Sequence, residues 1–327
     1  MTQSVVQPPL PTFQVSLAPP DLGRWIEGNT GIPGFTTRDS GVSGPHVAVL
    51  ALAHGNELAG AIVLDALLRT NFTPLRGRLT FGFVNLVAFD RFDPRQPTAS
   101  RFVDEDINRL WDQPLLDSGR RSVELNRARE IRPLIDTVDV LLDLHSMLWP
   151  SEPLILCGES AKGRRLAFGV GVPGLVVADH GHVVGRRIID YRRFADPTTP
   201  CAASLIEAGQ HWEEATVDTT MASVAGLLRH VGMAADAPAL PPPSRAARRF
   251  AEVTRVVTAS TSSFVFLQPF QGGDVIPDRN TLIALDGTTE IRTPHDDCLL
   301  VMPSLRPSRG HTAVRLGRFV PTLAARP

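Results

Sequence analysis

The chain has 327 residues, 43% of them hydrophobic and 20% charged, with a net charge of -1 and a pI near 6.8. That is the make-up of a folded protein long enough for one large domain or two, and its near-neutral balance argues against a broad basic surface for nucleic acid or anionic lipid. Three scattered cysteines, Cys157, Cys201 and Cys298, form no CxxC pair and argue against a disulfide framework or a cysteine-built zinc site. The first twenty residues lack a basic start with an apolar core, and no window reaches the ~18 apolar residues of a membrane span. The default expectation is a cytoplasmic enzyme or binding protein, with no membrane partner.

In chain order, residues 1 to 45 are rich in Pro, Gly, Ser and Thr and read as an extended arm with loops. The run 46–53 is short, apolar and bounded by Gly44-Pro45 and Gly55-Asn56, which predicts a buried strand. Helical spacing over 57–70 follows, then a second strand over 77–85. Residues 90–113 form a long polar loop whose aromatics, Phe92, Phe102 and Trp111, point to an ordered and functional segment. A helix is predicted over 121–137 and a buried strand over 138–146. Further strands fall at 153–157, 174–178 and 203–207, with helices near 160–169 and 213–230. Strands alternating with helices imply a mixed or parallel sheet covered on both faces. The proline-rich stretch 237–244 reads as a stiff linker. After it come short β-like runs at 252–258, 262–267, 281–286, 298–302 and 312–320, split by turn signals such as Asp286-Gly287. The expected organisation is a catalytic domain over 1–240 and a small β-rich domain over 245–327.

The chemistry gathers at strand ends and in the long loop. His54 and Glu57 sit at a strand-to-helix turn, the edge where open α/β sheets bind ligands. Three residues apart, an imidazole and a carboxylate can supply two zinc ligands, and His145 would bring the third from another strand. Glu207, ending the apolar run 203–206, is the candidate general base, taking a proton from water activated by zinc and returning it to the leaving amine. Arg101 is the candidate to hold the oxyanion. Arg109 can pair bidentately with a substrate carboxylate, assisted by Asn108. The blander alternatives are a helix-capping turn for His54 and Glu57, a buried ion pair for Glu207, and loop salt bridges of Arg101 and Arg109 with Asp104 or Asp106. Asp143 lies two residues before His145 on the same strand face, either supporting the ligand from behind or simply ending the strand.

Four stretches carry a resemblance: His54-Gly55-Asn56-Glu57, Arg101 through Arg109, Asp143-Leu144-His145 and Ile206-Glu207-Ala208-Gly209. In order and spacing they resemble the succinylglutamate desuccinylase/aspartoacylase family, over about half the chain, and the β-rich tail is similar to that family's C-terminal domain. The resemblance implies a zinc-carboxypeptidase-like α/β fold, its mixed sheet flanked by helices. It implies one zinc held by His54, Glu57 and His145, with Glu207 as base then acid. It also implies Arg101 polarising the scissile carbonyl, and Asn108 and Arg109 binding substrate. The expected function is hydrolysis of the amide bond of a small N-acylated amino acid. The sequence departs from the aspartoacylase pattern in one place: a tail-domain tyrosine binds acidic substrate there, whereas the only tyrosine here, Tyr191, precedes the linker.

Tyr191 with Arg193 is therefore a candidate substrate-binding pair, against the alternative of a solvated basic run. His180-Gly181-His182 is more simply a surface pair than a metal site, and His211 more simply begins the next helix. Two rival functions remain open: a metallocarboxypeptidase acting on peptides, and a catalytically silent member that binds a small acidic metabolite. The sequence leaves a homo-oligomer open.

Overall fold

The structure is a computed structural model and describes residues 13–181, 185–235, 240–244 and 246–321. The described residues divide into two compact units, one within 14–146 and 153–248, the other Phe13 with 147–152 and residues within 249–321. Part of the proline-rich linker, 237–239, lies outside the described residues, as does His182.

The larger unit is a mixed sheet with helices. Its strands are β1 (Phe35–Asp39), β2 (His46–Ala51), β3 (Arg78–Phe83), β4 (Val140–Met147), β5 (Leu154–Leu156), β6 (Leu175–Ala178) and β7 (Ala202–Gln210), in the order β1-β3-β2-β4-β7-β5-β6. β2 runs parallel to β3 and β4, and β5 parallel to β6. β1 is antiparallel to β3, and β7 antiparallel to β5. β2 and β7 are buried along their whole lengths. That explains why they read as continuous apolar runs rather than alternating ones.

The helices are α1 (Leu58–Arg69), α2 (Leu86–Phe89), α3 (Gln113–Leu116), α4 (Val123–Ile135), α5 (Ala161–Val170), α6 (Arg192–Ala195) and α7 (Glu214–His230). α4 begins where the Ser122 hydroxyl accepts a hydrogen bond from the Leu125 amide, the usual N-terminal cap. β1 departs from the reading of residues 1–45 as arm and loops. It is an edge strand of five residues that ends in Arg38 and Asp39, so it lacks the apolar run that announces a central strand.

The smaller unit is antiparallel. β8 (Arg249–Thr258), β14 (Thr312–Val320), β13 (Cys298–Val301) and β10 (Val275–Ile276) pair in that order, and β12 (Thr289–Arg292), β11 (Leu282–Asp286) and β9 (Phe264–Phe266) form a second, three-stranded sheet. Phe264, Phe266 and Phe270 sit in its core with Ile283, Leu300 and Leu316. Gly287-Thr288, directly after Asp286, is the hairpin turn between β11 and β12, with Gly287 at φ 62°, where glycine avoids the cost of a side chain. β10 and β12 had no counterpart among the expected runs. One is two residues long and the other carries charges at alternate positions.

Candidate active site

The site starts at the end of β2. Leu52 adopts φ 60°, a left-handed conformation that costs a branched residue roughly 1–2 kcal/mol. It is held there because its carbonyl accepts from the Asn85 amide at 2.8 Å. The next residues turn sharply. A Cβ on Gly55 would lie 2.3 Å from the Ala88 carbonyl carbon, so only glycine lets this turn pack against α2. The Gly55 amide donates to the Arg101 carbonyl at 3.1 Å, which ties the turn to the long loop.

His54, Glu57 and His145 converge. All three are buried, and one donor atom from each lies within 4.8 Å of the others. Glu57 lies between the two imidazoles, its Oε1 2.6 Å from His54 Nδ1 and its Oε2 2.9 Å from His145 Nδ1. The Ser146 amide also donates to Oε2, at 3.2 Å. Burial works to raise the Glu57 carboxyl, but His54 and His145 outweigh it and hold it well below the ordinary carboxylate range. His145 is likewise opposed by burial and raised well above an ordinary imidazole by Asp143 and Glu57.

Each imidazole is also gripped from behind. Asp143 Oδ2 lies 2.8 Å from His145 Nε2, and Asp106 Oδ1 lies 2.9 Å from His54 Nε2. Two Nδ1 atoms and a carboxylate facing one point, with each Nε2 on a carboxylate, is a donor set suited to a metal ion of zinc type. Asp106 was legible only as a salt-bridge partner of the loop arginines. Its support of His54 depends on a fold contact across 52 residues.

Arg101 extends over this cluster. Its guanidinium reaches Glu57 Oε1 at 3.3 Å, Asp106 Oδ2 at 3.5 Å and His54 Nε2 at 3.0 Å, and its side chain is 37% exposed. Burial works against its charge, and Asp106, Glu57 and Glu207 outweigh it and raise its pKa. Glu207, buried within β7, is thus close enough for its charge to act on Arg101. Arg109 lies 3.6 Å from Asp106 Oδ2, with a side chain 26% exposed. Asn108 is placed differently from the expected substrate contact. Buried, it donates through Nδ2 to Asp143 Oδ2 at 3.1 Å and accepts from the Ile188 amide at 2.8 Å. That places it behind His145, as a support.

The structure does not bring Tyr191 and Arg193 into the cluster. Tyr191 is fully buried, its hydroxyl donates to Asp136 at 2.9 Å, and its ring meets Trp111 edge-on. Arg193 donates to the Asp136 carbonyl and lies 3.5 Å from Asp139. These ties hold both side chains outside the His54–Glu57–His145 cluster, apart from the place expected of a substrate-binding pair. The reason is that their partners come from a segment some fifty residues earlier, which local sequence cannot reveal. His180 is exposed and pairs with Glu159, away from the cluster. His211 does approach it. Its Nδ1 lies 2.8 Å from the Ser146 hydroxyl, and burial pushes its pKa down to about 3. It is therefore a neutral imidazole beside the ligand set.

Residues 43–155 match the model of the succinylglutamate desuccinylase/aspartoacylase catalytic domain. The family resemblance holds for this stretch. It contains His54, Glu57, Arg101, Asn108, Arg109 and His145, and the family is one of deacylase-type hydrolases. Among solved structures, succinylglutamate desuccinylase from Vibrio cholerae is similar with a TM-score of 0.64 at 15% identity, over 88% of this chain and 86% of that one. A succinylglutamate desuccinylase/aspartoacylase from Rhodobacter sphaeroides gives 0.63 at 17% identity, over 88% and 89%. An aspartoacylase family protein from Mesorhizobium loti gives 0.62 at 17% identity, over 88% and 89%. At such identities the likeness is one of fold. No curated protein matches the chain. Among the described residues, no helix is long and apolar enough to cross a membrane.

Proposed function

We propose that the protein is a zinc-dependent hydrolase that cleaves the amide bond of a small N-acyl amino acid. The observation that carries this reading is the convergence of His54, Glu57 and His145, each imidazole held by its own carboxylate beneath the Arg101 guanidinium. These three residues would hold the metal. When bound, zinc supplies Lewis acidity, lowering the pKa of water to about 7 and polarising a carbonyl oxygen.

The chain's own groups do the rest. Asp106 and Asp143 accept the Nε2 protons of His54 and His145, which fixes both Nδ1 atoms toward the centre. The Glu207 carboxylate takes a proton from the attacking water and delivers it to the nitrogen that leaves as amine, so the proton count closes over the cycle. The Arg101 N–H groups donate to the acyl oxygen as it gains negative charge. Arg109 is the proposed anchor for the substrate carboxylate. The two compact units, 14–248 without 147–152 and the β-rich remainder, are compatible with a catalytic domain and a smaller accessory domain.

The direct test is amine release from a panel of N-acetyl, N-succinyl and N-formyl amino acids, assayed with zinc-loaded protein with and without a chelator. The reading requires release that the chelator abolishes and added zinc restores. Release only from C-terminal peptide bonds would instead favour the carboxypeptidase alternative.

A further inference from the structure

Glu124 occupies the first turn of α4 and has no exposed surface. Its carboxylate meets no Lys or Arg among the described residues. Instead it accepts four hydrogen bonds, all converging on the same loop and strand end. Oε1 accepts from the Val103 amide at 2.6 Å and from Asn85 Nδ2 at 3.0 Å. Oε2 accepts from the Asp104 amide at 3.0 Å and the Glu105 amide at 3.2 Å. The grip is reciprocal, because Asp104 Oδ2 accepts from the Val123 amide at 2.7 Å and so caps the helix that holds it.

The gripped segment is the one that carries the site. Arg101 lies two residues before Val103, and Asp106, Asn108 and Arg109 follow directly after Glu105. Through the Arg101 carbonyl the same loop bonds to Gly55, inside the ligand turn. Three consecutive loop amides would otherwise lack partners in a half-buried position, and a carboxylate, being an acceptor only, suits them all.

We infer that Glu124 is a positioning residue that clamps the 101–109 loop, so that Arg101 and Asp106 hold their places over the His54–Glu57 turn. It touches neither the metal ligands nor the proposed substrate. The inference rests on the deacylase reading for its catalytic consequence, but the clamp itself can be tested without it.

The experiment uses the full chain carrying Glu124→Gln. A glutamine presents one NH2 donor toward amide donors and so breaks half of the clamp while keeping the volume. With zinc-loaded protein, kcat is expected to fall by about 10–100-fold, as when groups supporting a metal site are removed. Bound zinc per chain stays as in the parent. Hydrogen exchange at Val103, Asp104 and Glu105 quickens by about tenfold, while β4 and β7 amides keep their protection. Glu130→Gln, an exposed change on the same helix, is the control for general loosening of α4 and should match the parent. Unchanged exchange at 103–105 overturns the clamp, and a kcat within about twofold of the parent overturns its catalytic role. Should Glu124→Gln fail to fold, Asp104→Ala removes the reciprocal bond at an exposed position and is read by the same two measurements, with the same refuting outcomes. If the parent itself releases no amine from any substrate in the panel, the deacylase reading fails, and the exchange data still decide the clamp.

Discussion

Replacing Asp143 by asparagine tests whether the carboxylate behind His145 sets the metal affinity. Asp143 is buried, its Oδ2 lies 2.8 Å from His145 Nε2, and the same oxygen accepts from Asn108 Nδ2 at 3.1 Å. Asparagine can keep one acceptor oxygen there, so the geometry survives and the charge does not. Hydrogen bonds to charged groups contribute about 1.5–3 kcal/mol, against about 0.5–1.5 kcal/mol for neutral ones. The expected loss is therefore about 1–2 kcal/mol, or roughly 5–30-fold in zinc affinity. The new NH2 group would take the place of Oδ1, a buried oxygen with no hydrogen-bond partner. It would have nothing to donate to, which pushes the effect toward the upper end of the range. The assay is zinc competition against a chromophoric chelator at neutral pH, with no substrate present. A Kd within about twofold of the parent would refute the argument, because the negative charge would then contribute nothing to holding the imidazole.

Four further outcomes follow from the same structure. Glu207→Ala should retain one zinc per chain and lose turnover by about 10²–10⁴-fold; a variant that keeps its activity removes Glu207 from the proton-transfer role. Arg187 makes a fully buried bidentate pair with Asp179 at 2.9 Å and also holds Asp190, so Arg187→Met should lower unfolding free energy by about 3–5 kcal/mol, and a denaturant titration showing less than about 1 kcal/mol would be inconsistent with that pairing. For Asp286, burial works to raise the carboxyl, but the Ser260 and Thr261 hydroxyls and amides outweigh it and bring the pKa to about 2. The unfolded value is about 3.9, so this stabilisation is complete above pH ~4 and is lost as pH falls through ~2; Asp286→Asn should flatten that part of the acid-unfolding profile. All three cysteines are buried, and burial pushes Cys157 up to about 12 and Cys298 up to about 11. A thiol reagent at pH ~8 should therefore label the protein only on unfolding, and prompt labelling of the native chain would contradict that burial.

The turn that carries His54 and Glu57 was legible because its signal is local. An apolar run, a glycine and a helical period place His54 and Glu57 together within a few residues, and β4 delivers His145 by the same kind of pattern. What stayed hidden depends on contacts between distant segments. Asp106 reads as one acid among several in a polar loop until the fold sets it on His54. Glu124 reads as an ordinary acidic residue in a helix's first turn, where the helix dipole favours it anyway. Tyr191 and Arg193 show the converse: their composition suits an anion site, and the fold sets them on Asp136 and Asp139. β1 escaped because an edge strand needs no apolar face along its whole length.

Tyr191 and Arg193 are bonded to Asp136 and Asp139 rather than placed at the cluster. Among the sequence-derived candidates, the cations at the ligand cluster are Arg101 and Arg109, and both lean on Asp106, at 3.5 Å and 3.6 Å. Asp106 in turn receives the Asn108 amide and faces His54 Nε2. Burial works to raise its carboxyl, but His54, Arg101 and Arg109 outweigh it and keep it well below the ordinary range. One carboxylate thus contacts the His54 imidazole and both the Arg101 and Arg109 guanidiniums at once. On the proposed function, a substrate carboxylate engaging Arg109 would compete with Asp106 for it, and a release of Asp106 would be felt at His54. On the proposed function, substrate anchoring and metal-ligand orientation would therefore be coupled through a single side chain, in the loop whose amides Glu124 accepts from.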